Sequence, residues 1–103
     1  MMAVDNPILS LKNLNDLEDK VNNNTAIVQD YEEIDFFISA VGGNKDYIKN
    51  TVIQNGFNDF YQYIKIRNEN PEGKKVQLGI ISGTILGAIA FLKSYAMKNK
   101  FYS

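Results

Sequence analysis

The stretch 76-VQLGIISGTILGAIAFLK-93 differs from every other part of this 103-residue chain. The residues between Lys75 and Lys93 are all uncharged, and apolar side chains occur on every side of the helical wheel. If Lys93 extends its amine to the membrane interface, the apolar segment reaches Met97 and forms about 33 Å of helix. That length crosses a hydrocarbon core of about 30 Å. The sequence therefore predicts a single transmembrane helix over residues 76–97.

Small residues recur along one side of this predicted helix. Gly79, Gly83 and Gly87 are four residues apart, so they share one stripe of the helix surface, and Ser82 lies at its edge. Each glycine costs a water-exposed helix about 1 kcal/mol relative to alanine, whereas small residues in lipid allow two helix backbones to approach closely. We therefore predict that these four residues form a helix-packing surface.

Basic and aromatic side chains flank the apolar segment at both ends. Lysine and tyrosine at such positions are typical of the membrane interface. The predicted interfacial residues are Lys74, Lys75, Lys93, Tyr95 and Lys98. The flanking cations are similar in number on the two sides, so they do not determine the orientation. Residues 98–103 are expected to form a short basic tail.

Two alternatives without a membrane remain open for the same segment. Residues 76–92 can form the buried central helix of a soluble helical protein, or a β-hairpin that turns at Gly83 and Thr84. Both alternatives are supported by the limited length of the apolar run, which is only just sufficient to span a bilayer, and by its glycine content.

Charge divides the chain into an acidic body and a basic, apolar C-terminal part. Residues 1–72 contain all twelve Asp and Glu residues against six Lys and Arg, a net charge of −6, whereas residues 73–103 contain five lysines and no acid. Contacts from Lys and Arg to phosphates supply most of the binding energy for nucleic acids. We therefore expect no nucleic-acid partner, although residues 34–66 have the helix, glycine turn, helix spacing of a helix-turn-helix motif.

Amphipathic helices are predicted throughout the body, which we expect to cover residues 1–70 and to end in a linker over residues 71–75. Apolar residues three or four positions apart predict the following helices: residues 10–21; a second from an N-cap at Asn24 to Gly42 and Gly43; a third over residues 45–55 behind an N-cap at Asn44; and a fourth that opens near Asn58. No stretch alternates with a period of two. The predicted fold is therefore all-α, with about four short helices followed by one C-terminal transmembrane helix.

Aromatic residues of the body are candidates for its core or for a surface that contacts a partner. Those that we single out are Tyr31, Phe37, Phe60 and Tyr61. An aromatic ring buries a large apolar area, and tyrosine also keeps a polar tip that can remain in water.

The residue types of this chain exclude many kinds of catalytic site. It has no Cys and no His, and so lacks thiol nucleophiles, thiolate zinc sites and imidazole bases. Asp30, Glu32, Glu33 and Asp35 are expected to lie mostly on the solvated side of the second helix, with no base or nucleophile beside them. We therefore expect no enzymatic activity, and neither a cofactor, a metal ion nor a small-molecule substrate.

The layout is similar to that of small single-pass accessory subunits of mitochondrial respiratory-chain complexes or ATP synthase. The resemblance covers the C-terminal third and concerns the layout alone. It implies a non-catalytic structural subunit in the mitochondrial inner membrane, whose partners are the lipid bilayer and other membrane-protein subunits. Two alternatives remain: a small self-associating membrane effector, holin-like or regulatory, and a soluble helical interaction module in which residues 76–92 are buried.

Overall fold

The computed structural model describes residues 8–98, which form five α-helices and no strand. The helices are α1 (Leu11–Asn22), α2 (Val28–Ala40), α3 (Tyr47–Gln54), α4 (Phe60–Glu69) and α5 (Lys75–Lys98), with one turn of 3₁₀ helix (Glu72–Lys74) ahead of α5. The predicted all-α fold, with four short helices before a long apolar one, is confirmed. The β-hairpin alternative is wrong, because α5 is continuous through Gly83 and Thr84. Residues 99–103 of the predicted tail lie outside the described residues.

The first helix forms where the sequence predicts it. The side chain of Ser10 accepts a hydrogen bond from the backbone N–H of Asn13, which caps the N-terminus of α1. Leu14, Leu17 and Val21 recur every three or four residues and are all buried. The helix ends at the polar run that follows Val21, as expected.

The predicted N-cap of α2 is wrong. Asn24 lies in the preceding turn with φ of 58°, and the helix starts only at Val28. The carboxylate of Asp30 accepts the backbone N–H of Ile27 at 2.8 Å and also pairs with Lys20 at 3.2 Å. A carboxylate in the first turn satisfies a free backbone donor and interacts favourably with the helix dipole, so it replaces the expected asparagine cap.

The predicted N-cap of α3 is also wrong, because the acceptor comes from another helix. In place of Asn44, the carboxylate of Asp35 on α2 accepts the backbone N–H groups of Ile48 at 2.7 Å and Lys49 at 3.0 Å. Asp35 and Asp30 are both buried, which corrects the expectation that these carboxylates lie on the solvated side of the helix. Burial raises the pKa of Asp35, whereas the two N–H groups lower it.

Aromatic rings fill the core between α2 and α4. The ring of Tyr31 stacks on Phe60 with centroids 5.4 Å apart and meets the edge of Tyr63 at 5.7 Å. Arg67 donates to the Tyr31 hydroxyl and to the backbone carbonyl of Asn24, and so joins the end of α4 to the turn before α2. Burial raises the pKa of Tyr31, which keeps this hydroxyl neutral.

The long helix α5 packs along α1, α2 and α3 and completes their core. Its buried face consists of Ile81, Ile85, Ala88, Ile89, Leu92 and Ala96, which join Leu14, Leu17, Ile34, Ile48 and Val52 in one apolar cluster. Together with the 3₁₀ turn, the helical stretch Glu72–Lys98 is long and apolar enough to cross a membrane. The core helix of a soluble protein can have the same length and composition.

We expect Asp35→Ala to lower the free energy of unfolding by about 1–3 kcal/mol, because one buried and one part-buried N–H group at the start of α3 lose their acceptor. Urea denaturation at pH 7 measures the change. The matched control is Glu32→Ala, which removes an exposed carboxylate from the same helix and should change the stability by less than about 0.5 kcal/mol. Equal effects of the two substitutions would contradict the capping role.

The stability difference between the native sequence and Asp35→Asn should widen in favour of the native sequence as the pH falls from 7 towards about 4. Burial raises the folded-state pKa of Asp35 above its unfolded value. The folded protein therefore binds this proton more tightly, and the resulting stability is lost as the pH rises through the folded pKa. Both proteins are denatured with urea at several pH values across this range. The other carboxyls titrate in both proteins, so their contribution cancels in the difference between the two free energies of unfolding. A difference that stays constant with pH would disprove the effect.

Candidate functional site

The side of α5 that faces away from the body is exposed and carries no charge. We call it the outer face of α5, and it consists of Val76, Gly79, Ile80, Gly83, Gly87, Ala90, Phe91, Ser94 and Met97. These residues lie within about 120° of the helix surface and extend over about six turns. All nine are exposed, and Ser94 is the single polar member.

An exposed helix face normally carries charged and polar side chains, which is the reason that surface helices are amphipathic. The outer face of α5 lacks this polar side, although Val76 is 73% exposed and Phe91 is 54% exposed. Contiguous apolar surface of this kind is typical of a site that binds another protein or a membrane. The outer face is therefore the candidate functional site.

The three predicted packing glycines lie on the outer face, with Gly83 and Gly87 near its centre and Gly79 towards one edge. A Cβ atom added to Gly79, Gly83 or Gly87 would meet nothing within 4 Å, so the packing of the body does not require glycine at these positions. Ser82 is half-buried beside the stripe. Each glycine therefore weakens an exposed helix without relieving a contact within the described residues, and its role in helix packing stays a prediction.

A groove of about 400 Å³ widens the outer face on one side. It is lined by Ile38, Gly43, Asn44 and Tyr47 from the region of α2 and α3, and by Thr84, Gly87, Ala88 and Phe91 from α5. This groove could not be predicted from the sequence, because its two walls are more than thirty residues apart in the chain and meet only in the folded protein. The groove adds an open apolar wall beside Gly87 and Phe91 of the outer face.

The lysines predicted to lie at a membrane interface are found at the two ends of α5. Lys75 pairs with Glu72 at 3.4 Å, and the Lys74 amine lies 6.0 Å from the centre of the Phe57 ring. Lys98 is exposed in the last turn of the helix. Contact of these residues with a membrane stays a prediction.

Lys93 and Tyr95 lie beside the body. The amine of Lys93 donates to the Glu18 carboxylate at 3.0 Å, and both side chains are about one-third exposed. Tyr95 is half-buried. The Lys93–Glu18 pair joins α5 to α1 at the edge of the buried side of α5.

The aromatic residues singled out in the body separate into core and surface. Tyr31, Phe37 and Phe60 are buried, whereas Tyr61 is 73% exposed. Tyr61 lies on the rim of a second groove of about 440 Å³ between α2, the start of α3 and the start of α4.

Two carboxylates of this second groove already have partners in the fold. Both oxygens of Asp35 accept backbone N–H groups of α3, and Asp59 accepts the N–H of Gln62 at 2.8 Å as the cap of α4. No group of three or more acidic side chains within residues 8–98 is placed to hold a metal ion. Asp35 and Asp59 in the second groove therefore have a structural role, whereas no contact within residues 8–98 requires the glycines of the outer face of α5.

A comparison with protein families finds one match, the family described as Mg296 protein, over residues 9–100. The chain belongs to the Mg296 protein family. The matched region includes the body and α5 together, so the outer face lies within the part that defines the family. No curated protein and no solved structure matches this Mg296 protein.

Gly83→Ala should raise the free energy of unfolding by up to about 1 kcal/mol, because alanine is the better helix former and its Cβ meets nothing. Urea denaturation at low protein concentration measures the gain. Gly42→Ala is the control: Gly42 has φ of +94°, which disfavours any Cβ, so this change should destabilise the protein. A loss of stability in Gly83→Ala would show that the glycine has a role inside the monomer.

Proposed function

We propose that this member of the Mg296 family is a non-catalytic helical interaction module that binds another helix along the outer face of α5. The observation that carries the proposal is the exposed, uncharged, glycine-lined surface of about six helical turns. A rigid core supports this surface, since the opposite side of α5 is buried against three other helices.

The shape of the outer face favours a helix as the docked partner. Gly83 and Gly87 leave a shallow channel across the centre of the face, and Ile80 and Phe91 border it on one side. A second helix that lies in this channel brings its backbone close to that of α5, so many weak contacts form along the whole length. The groove beside Phe91 and Tyr47 can take side chains of the same partner.

The packing of α5 favours a module that keeps this helix in its own core. Six residues between Ile81 and Ala96 are buried, so one side of the helix is held against the body along more than four turns. If α5 crossed a bilayer while packed in this way, Glu18 and the rest of α1 would lie at the depth of the hydrocarbon, where a charge is costly. Docking in the aqueous phase requires no such rearrangement.

A membrane-anchored accessory subunit is the second candidate function. It is favoured by the length and composition of Glu72–Lys98 and by the lysines at both ends. In that arrangement α5 leaves the body and spans the bilayer, as in the small subunits of respiratory-chain complexes or ATP synthase that the layout resembles. The glycine stripe then packs against a transmembrane helix of another subunit.

Fractionation of the native protein separates these two functions. Cells are separated into a soluble fraction and membranes, and one portion of the membranes is washed with carbonate. The soluble fraction and a mild-detergent extract of the unwashed membranes are sized under native conditions. Recovery in the soluble fraction, within an assembly larger than the monomer, is the expected result. Retention in the membrane after the wash would favour the anchored subunit and overturn the aqueous module.

Gly83→Leu should abolish assembly and leave the fold intact, because the new side chain fills the channel and its Cβ meets nothing in the body. Native sizing measures the assembly, and thermal unfolding verifies the fold. Asn15→Leu is the matched control, since it adds the same side chain on the exposed side of α1 and should assemble normally. Unchanged assembly of Gly83→Leu would refute docking through the outer face.

A further inference from the structure

We propose that the helix bound to the outer face is α5 of a second copy of this chain, packed antiparallel. This inference rests on the proposed function and names its partner. Nothing else in the described residues offers a long uncharged helix surface of the same length. A twofold axis close to the level of Ile85 would relate the two copies, so that residues whose numbers add up to about 170 face each other.

Charge complementarity selects the antiparallel direction. Glu72 lies just before α5, and Lys98 lies at its end. An antiparallel pair places Glu72 of each copy at the level of Lys98 of the other, and brings Lys74 and Lys75 to the negative C-terminal end of the neighbouring helix dipole. A parallel pair would instead place Glu72 beside Glu72 and Lys98 beside Lys98, where like charges repel.

Side-chain sizes along the outer face are compatible with this antiparallel register. At the centre, Gly83 of one copy faces Gly87 of the other, so the backbones approach closely at the twofold axis. Along one edge of the contact Ile80 meets Phe91 of the second copy, and both are exposed in the single chain. Val76 and Ser94 lie on the centre line of the face. Towards each end of the contact, Val76 of one copy opposes Ser94 of the other.

The size of the contact predicts a weak dimer. A helix face about 33 Å long and about 10 Å wide amounts to roughly 330 Å² per copy. A standard interface buries about 800 Å² per partner, so even with the groove beside Tyr47 the contact falls below that size. We therefore expect the dimer to dissociate on dilution through roughly the micromolar range.

Cysteine crosslinking of the purified full chain tests the geometry, because the native sequence has no cysteine. Val76→Cys and Ser94→Cys are prepared separately and treated with a short thiol crosslinker, alone and as a mixture. In the antiparallel dimer the two positions face each other, whereas two copies of position 76 are about 27 Å apart. Crosslinked dimer is therefore expected from the mixture, with several-fold less from either variant alone, and Gly83→Leu in both partners should remove it.

A charge exchange verifies the register independently. Glu72→Lys should weaken the dimer several-fold in sedimentation, because it places lysines at the same level at both ends. Lys98→Glu should weaken it to a similar extent, because it places glutamates at the same level. The double substitution restores opposite charges and should restore dimerisation. Both positions are exposed, so each single variant should fold normally.

Three results would overturn the inference. Efficient crosslinking of each variant with itself would show a parallel pair, and weak dimerisation that the double charge exchange does not restore would exclude the proposed register. No crosslinking in any sample, with a monomer at all concentrations, would exclude self-association. If Gly83→Leu still disrupted the native assembly in that case, the proposed function would stand with a different helix as partner.

Discussion

The burial of one side of α5 against α1, α2 and α3 is the constraint on which the rest of the structure depends. The body has only short helices, and their apolar residues, such as Leu14, Ile34 and Val52, are covered because α5 lies across them. The same packing, together with the Lys93–Glu18 pair, determines which side of α5 remains exposed. The packing of α5 that forms the core therefore also leaves the outer face exposed.

The outer face is poorly adapted to an isolated monomer. Three exposed glycines in one helix together cost about 3 kcal/mol relative to alanine, a large share of the 5–15 kcal/mol by which ordinary domains are stable. Nothing within the described body requires glycine at these positions. Such a cost is typical of binding surfaces, where shape is optimised for a partner at the expense of the free protein.

Helical periodicity was sufficient to predict the all-α fold, because spacings such as Leu14, Leu17 and Val21 depend only on local sequence. The caps of α2 and α3 were mispredicted, since Asp30 acts from inside its own helix and Asp35 acts from thirteen residues away. The glycine stripe could be recognised in the sequence. Which side of α5 is buried could not be predicted from it. Apolar residues occur all round this helix, so the choice is made by tertiary packing alone.

A transmembrane helix and a docking helix have the same signature in sequence, because both avoid charge on a surface that water does not reach in the functional state. They differ in how much of the helix a partner must cover. A single helix in lipid is covered on every side, whereas the body of this protein already covers α5 from Ile81 to Ala96 and leaves about one-third of its circumference. A remaining strip of that width, flat at its glycines and bordered by a groove, has the dimensions of a contact with one neighbouring helix.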